Sequence, residues 1–287
     1  MTRPVSQTMP LRPADEDVDV FGLTHVGLVR SNNEDQFLIA SLHKTMYLHD
    51  TSLEPDQLPP LISSSRGFVF LVADGVGGRP GGKKASGTAV RVIADYVTHT
   101  MRFYSHHDPA REQLLLEELE RSVLRSDEVI REEAEGTATT LTMVVVMWPR
   151  AYLIQVGDSR CYRLRVGQLE QLSKDQTIAQ ALVDAGALAQ EKASASPLAH
   201  VLSSALGARE ARPVITVTDA QWDDVMLLCT DGLTKHVSDA EIAEQLRTSA
   251  SSEHICRNLL QLTLDRGATD NVTIVAGRVR DRRKAKR

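Results

Sequence analysis

The sequence predicts a single α+β domain in which two packed sheets are flanked by helices. Short apolar runs rich in β-branched and aromatic residues predict strands, as at 67–73 (GFVFLVA) and 139–148 (TTLTMVVVMW). These runs come in groups, with one pair of helical segments between them and another pair near the end. Grouped strands and helices fit packed layers better than a strictly alternating parallel fold.

The elements are expected in a definite order along the chain. The predicted strands are 21–29, 35–40, 67–73, 139–148, 152–156, 214–217, 225–229 and 272–279. The predicted helices are 83–102, 112–133, 178–189, 239–246 and 253–266. A polar, proline-containing surface loop is expected at 43–65, and a mobile flap within 177–206. We therefore expect a disordered leader at 1–20, one domain at 21–279 and a basic tail at 280–287.

Composition limits the classes of function. The chain has 287 residues, 42% of them apolar, which suffices for a sizeable core. Its 38 acidic and 33 basic residues provide no strong positive field, so neither nucleic acid nor a membrane surface is expected as a partner. No run approaches the roughly 20 apolar residues of a membrane-spanning helix. Three widely spaced cysteines favour a reducing compartment, which predicts a cytoplasmic location.

Acidic residues stand at the ends of predicted strands, beside glycines, at five places. They are Glu34 and Asp35 in RSNNED, Asp74 in VADGVGG, Asp158 in VGDSR, Asp231 in LLCTDGL and Asp270 in ATDNVT. A single Asp before Gly is usually a turn former. The whole set, however, concentrates negative charge at the mouth of a sheet, which hard cations neutralise directly. Histidines and cysteines show no zinc spacing, so the pattern predicts magnesium or manganese.

The ordered motifs resemble a known family. The series R-x-x-N-E-D, D-G-V-G-G, G-T-x-T-T, G-D-S-R, C-T-D-G-L and D-N resembles the type 2C, metal-dependent Ser/Thr protein phosphatases, especially the bacterial members. Together these motifs cover 21–279. The resemblance implies a four-layer α-β-β-α sandwich of two antiparallel sheets with helices on both outer faces, and a metal channel at one edge.

The resemblance also implies a set of metal ligands. It places Asp74 between two Mn²⁺ or Mg²⁺ ions, with Glu34 and the carbonyl of Gly75 on one ion. Asp231 and Asp270 would hold the other. Asp158 matches a position associated with a third, weaker metal site. Asp35 and Asn271 would support these ligands from behind.

The same resemblance implies a reaction. Arg30 matches the arginine that binds the substrate phosphate, a role that suits its planar, two-pronged guanidinium. A water bridging the two metals would attack phosphorus in line, without a phospho-enzyme. Asp74 and Arg30 are therefore the expected catalytic residues. The expected substrates are phosphoserine and phosphothreonine proteins, with a bacterial Ser/Thr kinase as the opposing enzyme and a monomer as the default assembly.

Two departures and two alternatives remain open. Val76 stands where some relatives carry a histidine that could protonate the leaving group, and Gln176 stands where relatives commonly show histidine. One alternative function is a catalytically weak regulatory module that binds phosphoproteins. Another is a metal-dependent phosphohydrolase of small molecules. A nucleotide-binding loop is not expected, because the glycines at 77–82 lack the GK[ST] ending.

Overall fold

Two five-stranded antiparallel sheets form the centre of the computed structural model, which describes residues 12–43, 45, 48, 67–76, 81–99, 109–193 and 195–281. The strands are β1 (Val18–His25), β2 (Gln36–Leu42), β3 (Gly67–Ala73), β4 (Gly75–Val76), β5 (Ala138–Thr139), β6 (Leu141–Met147), β7 (Arg150–Val156), β8 (Arg160–Arg165), β9 (Gln168–Gln171), β10 (Val214–Asp219), β11 (Val225–Cys229) and β12 (Val272–Val279). The first sheet has the order β1-β12-β11-β8-β9 and the second β10-β7-β6-β3-β2; β4 and β5 form a small separate pair.

Helices cover the outer face of each sheet. The helices are α1 (Gly82–His99), α2 (Pro109–Glu133), α3 (Ile178–Asp184), α4 (Gln190–Ala193), α5 (Asp231–Thr234), α6 (Asp239–Thr248) and α7 (Ser252–Asp265). The covering helices are α1 and α2 on the second sheet and α6 and α7 on the first, whereas α3 and α4 pack on each other. On the second sheet, Ile93 of α1 and Leu119 of α2 are buried in one cluster with Leu71 of β3. On the first sheet, Ile255 of α7 is buried with Ile274 of β12. This arrangement confirms the predicted four-layer α-β-β-α sandwich.

The central strands are apolar throughout because both of their faces are covered. In β3, Leu71 packs toward the helices, whereas Phe70 and Val72 pack between the sheets with Leu228 and Val275 of the first sheet. Alternate side chains of a strand point to opposite faces, so a strand in a middle layer needs apolar residues at every position. Each fully buried side chain of this kind contributes about 1.5–3 kcal/mol through the hydrophobic effect.

The first strand differs from its predicted bounds of 21–29. β1 begins at Val18, which pairs with Val279, so residues 18–20 of the expected leader belong to the sheet. It ends at His25 because Gly27 adopts a φ of 82° in a turn. A Cβ at Gly27 would overlap the carbonyl oxygen of Asp270. Residues 1–11 and 282–287 lie outside the described residues, as does nearly all of the loop expected at 43–65.

Three strands were missed: the two-residue strand β4, and β8 and β9, in which charged residues interrupt the apolar pattern. The arginines of β8 are compensated by neighbouring acids: Arg163 pairs with Glu170 across the β8–β9 ladder at 2.6 Å, and Arg165 pairs with Asp224 at 2.6 Å. The remaining strand predictions are confirmed with shifts of a few residues at their ends.

One predicted helix is shorter in the structure. The helix expected at 178–189 ends at Asp184, and Gly186 follows with a φ of 70°. The mobility expected of the flap at 177–206 remains a prediction.

No helix in the described ranges has both the length and the apolar character that a membrane crossing requires.

Candidate functional site

The predicted acidic residues meet at one edge of the sandwich because of strand pairing. Gln36 of β2 is opposite Ala73 of β3, so Glu34 and Asp35 before β2 lie near Asp74 after β3. Cys229 of β11 is opposite Ile274 of β12, which likewise brings Asp231 close to Asp270. Glu34, Asp35 and Asp74 adjoin strands of the second sheet. Asp231 and Asp270 adjoin strands of the first sheet. The site is therefore assembled from both sheets.

One pocket of about 560 Å³ collects nearly all of the predicted site residues. Its walls include Arg30, Glu34, Asp74, Gly75, Asp158, Asp231, Asp270 and Asn271. Asp35 is the exception: it lies behind the pocket and is only 2% exposed. Sequence reasoning thus found the acids that share this space.

Asp74 is positioned through its backbone by the predicted G-T-x-T-T motif. Its N–H donates to Oγ1 of Thr140 at 3.0 Å, and its carbonyl accepts from N–H of Thr140 at 2.8 Å and from Oγ1 of Thr139 at 2.9 Å. These contacts leave the carboxylate itself free to face the pocket. Burial, together with the charges of Asp35 and Asp231, raises the pKa of Asp74 well above its ordinary value.

Glu34 and Gly75 lie against the first residue of α1. A methyl group at Gly82 would approach Oε2 of Glu34 to 2.8 Å and the carbonyl oxygen of Gly75 to 2.9 Å. Both oxygens therefore border the same narrow space, and glycine is needed there to admit them. The backbone of Glu34 is fixed by its N–H, which donates to Oδ1 of Asn271 at 2.9 Å, and by Oγ of Ser86, which donates to its carbonyl at 2.6 Å.

Asp35 connects the two sheets behind the pocket. Its Oδ2 accepts hydrogen bonds from Oγ1 of Thr230, which directly follows β11, at 2.9 Å and from Oγ1 of Thr273 in β12 at 2.7 Å. Its Oδ1 is buried and has no hydrogen-bond partner among the described residues. Burial raises the pKa of Asp35 to about 7, although the two threonines oppose this shift.

Asp158 occupies the link between β7 and β8 and is 8% exposed. Burial and the charges of Asp231 and Asp175 raise its pKa to about 7. Asp175 is itself held by Arg160, which donates from Nε and an η nitrogen to both carboxylate oxygens at 2.7–3.1 Å. Sequence reasoning missed this Arg160–Asp175 pair.

Asp231 and Asp270 are paired with two basic side chains. Nζ of Lys235 lies 2.7 Å from Oδ2 of Asp231 and 2.9 Å from Oδ2 of Asp270. Arg30 reaches Asp270 with Nε at 2.8 Å and with an η nitrogen at 3.0 Å. Burial alone would raise the pKa of Asp270, but Lys235 and Arg30 outweigh it and hold that pKa below its ordinary value. Lys235 was missed, although its position four residues after Asp231 was a usable signal.

The residues present fit divalent cations by the chemistry of their donors. All of the candidate donors are carboxylate or carbonyl oxygens, which magnesium and manganese prefer. Burial, with a further contribution from neighbouring carboxylates, raises the pKa values of Asp35, Asp74 and Asp158, and a bound cation would favour their ionised forms. Among the described residues, however, no three His, Cys, Asp or Glu side chains converge as a ready-made ligand shell. Asp231 and Asp270 instead hold side-chain cations.

Comparison with known proteins shows similarity to bacterial serine/threonine protein phosphatases. The family model described as protein phosphatase 2C matches residues 48–272. The chain is 33% identical over 261 residues to the serine/threonine protein phosphatase PstP of Mycobacterium tuberculosis, covering 89% of this chain and 44% of that protein. It therefore spans less than half the length of this relative. The serine/threonine phosphatase stp of Listeria innocua is 29% identical over 209 residues, covering 72% of this chain and 82% of that protein.

Solved structures show the same similarity in three dimensions. The crystal structure of the Mycobacterium tuberculosis serine/threonine phosphatase PstP/Ppp has a TM-score of 0.72 at 30% identity, covering 92% of this chain and 99% of that one. A second structure, of the catalytic domain of PstP in complex with two manganese ions, has a TM-score of 0.69 at 31% identity and the same coverage.

Proposed function

Because the chain belongs to the protein phosphatase 2C family, we propose that it is a metal-dependent protein serine/threonine phosphatase. The observation that carries this proposal is the single pocket in which acids from both sheets surround Asp74 beside Arg30. An acidic cluster of this kind needs cations to neutralise it, and a phosphatase needs cations and a basic group to bind phosphate.

We assign the residues roles within this proposal. Asp74 contributes to two cation sites, Glu34 and the carbonyl of Gly75 to one of them, and Asp231 with Asp270 to the other. Asp158 contributes to a third, weaker site. Asp35 and Asn271 support the ligands through hydrogen bonds: Asn271 holds the backbone of Glu34, and its own side-chain N–H groups donate to the carbonyls of Val26 and Asn32 at 2.8 and 2.9 Å.

The proposed reaction is hydrolysis of a phosphate monoester. Bound Mn²⁺ or Mg²⁺ would supply Lewis acidity, lowering the pKa of water and neutralising charge on the phosphoryl oxygens. Arg30 orients the phosphate and stabilises its equatorial oxygens through two parallel N–H groups. Val76 is an exposed aliphatic residue and cannot transfer a proton, so a leaving-group acid does not come from that position.

Phosphorylated proteins are the proposed substrates, and a bacterial Ser/Thr kinase is the proposed opposing enzyme. The names of the relatives support this substrate class. A cytoplasmic location is part of the same proposal. Cys161, Cys229 and Cys256 are free and buried, and free thiols persist most readily in a reducing compartment.

The direct test is hydrolysis of a phosphothreonine peptide by purified protein with Mn²⁺, with Mg²⁺ and with excess chelator. We expect activity with at least one of the metals and none with chelator. Activity that chelator leaves intact would refute the metal-dependent mechanism. Inactivity under every condition, with Mn²⁺ binding shown by calorimetry, would favour a regulatory module that binds phosphoproteins.

Arg30→Ala is expected to raise KM for a phosphopeptide by about tenfold, because it removes a two-pronged contact with the bound phosphate. Steady-state kinetics at saturating Mn²⁺ measures this change. Arg91→Ala is the matched control, since Arg91 forms an exposed ion pair with Glu133 at 2.7 Å on the outer helices. An unchanged KM in the Arg30 variant would show that Arg30 serves only its ion pair with Asp270.

A further inference from the structure

Lys235 places a positive charge between two of the proposed cation ligands. Its Nζ makes ion pairs of 2.7 Å with Asp231 and 2.9 Å with Asp270, and its side chain is only 23% exposed. The backbone fixes this reach, because Lys235 follows α5 directly and its N–H donates to the carbonyl of Asp231 at 2.9 Å. The ammonium group is thus tethered at the site.

The carboxylate of Asp270 is already fully engaged. Its Oδ1 accepts from Nε of Arg30 and from the N–H of Asn271 at 3.0 Å, while its Oδ2 accepts from Arg30 and Lys235. A divalent cation binds carboxylate oxygens at about 2.1 Å, closer than an ammonium group approaches. An ion that binds Oδ2 of Asp231 or Oδ2 of Asp270 would therefore have to displace Lys235 from that oxygen.

We propose that Lys235 is a built-in competitor for the divalent cation that Asp231 and Asp270 would hold. The inference rests on the proposed function, since it requires that these two residues bind a cation. Its consequence is a pair of unequal sites: the site formed by Glu34 and Gly75 fills first, and the site formed by Asp231 and Asp270 fills only at higher metal concentration. Lys235 thereby sets the metal concentration at which the site is completed.

The size of the effect follows from the charge. Removing one positive charge at ion-pair distance from two ligands, in a partly exposed pocket, is expected to tighten cation binding by about tenfold. Lys235→Met removes the charge and keeps much of the aliphatic stem. Lys235→Arg keeps the charge and is expected to stay within about threefold of the original affinity.

The experiment is calorimetric titration of the metal-stripped full chain with MnCl₂, without substrate. Lys174→Met is the matched control, because Lys174 forms a comparable ion pair of 2.7 Å with Asp184 outside the site. We expect the weaker Mn²⁺ event to tighten about tenfold in Lys235→Met and to remain unchanged in Lys174→Met. An unchanged or weakened event in Lys235→Met would overturn the inference.

The outcomes separate this inference from the proposed function. If the unaltered chain binds no Mn²⁺, both fail. If it binds Mn²⁺ and hydrolyses the phosphopeptide while Lys235→Met binds no tighter, only the competitor role fails. Circular dichroism checks that each variant is folded, and Lys235→Gln replaces Lys235→Met in the titration if the methionine variant does not fold.

Discussion

Asp74→Asn is expected to reduce phosphopeptide turnover at least about thousandfold and, at the same time, to raise the thermal stability of the metal-free protein. The loss of activity follows because Asn keeps the shape of Asp74 but removes the negative charge proposed to hold two cations. The gain in stability follows from electrostatics. In the metal-free protein, burial and neighbouring acids disfavour the ionised carboxylate, as the raised pKa of Asp74 shows.

These opposite changes distinguish a functional acid from a structural one. A residue that stabilises the fold would lower the unfolding temperature when replaced, whereas Asp74→Asn is expected to raise it by about 3 °C in chelator at pH 7.5. Differential scanning fluorimetry measures the shift. Asp184→Asn is the control, because Asp184 makes an exposed ion pair with Lys174 and should leave turnover unchanged. Substantial turnover by the Asp74 variant would refute the assignment.

The metal-free protein is expected to lose stability as pH rises from about 4 to about 7. Asp35 and Asp158 have folded-state pKa values of about 7, against an ordinary value of 3.8. Well below pH 3.8 both residues are protonated in the folded and unfolded states, so they do not change the free energy of folding. Between these values the unfolded chain releases its protons first and the folded protein retains them, so folding becomes less favourable as pH rises. Each of the two residues contributes on the order of a few kcal/mol to this effect.

Thermal unfolding in chelator across pH 4.5–8, repeated with saturating Mn²⁺, measures this dependence. Metal that binds only the folded state adds about 2.7 kcal/mol at a hundredfold excess over its dissociation constant. The added stability should be largest at the alkaline end, where the acids are ionised. Asp158→Asn should flatten the metal-free curve. A metal-free unfolding temperature that rises through this range would contradict the predicted sign.

The acidic residues of the site were predictable because each stands at the end of an apolar strand in an ordered motif. Each apolar run predicts a strand and so places its acidic residue at the end of that strand. Pairing of neighbouring strands then brings the acids to one edge of the sandwich. Asp35 was also expected behind the ligands, where it is buried. The layered fold followed from the grouping of strands and helices, since strands in a middle layer must be apolar on both faces.

Other features depended on contacts that the sequence pattern does not contain. The polar strand β8 is stable because Glu170 and Asp224, from other strands or loops, compensate its arginines. The end of β1 is set by Gly27 packing against the carbonyl of Asp270, far away in the chain. The spacing of Lys235 from Asp231 indicates a local ion pair, but the second ion pair of Lys235, with Asp270, depends on the packing of the short helix α5 beside β12.

The hydrogen bonds of Asp35 to Thr230 and Thr273 span the seam between the two sheets, directly beneath the pocket. Neither sheet alone contains the complete set of acids, so the pocket exists only while the sandwich is closed. Opening of the sandwich at this seam would separate Asp74 from Asp231 and Asp270. The proposed activity should therefore depend on the closed sandwich, because a molecule whose two sheets have separated lacks the complete set of acids.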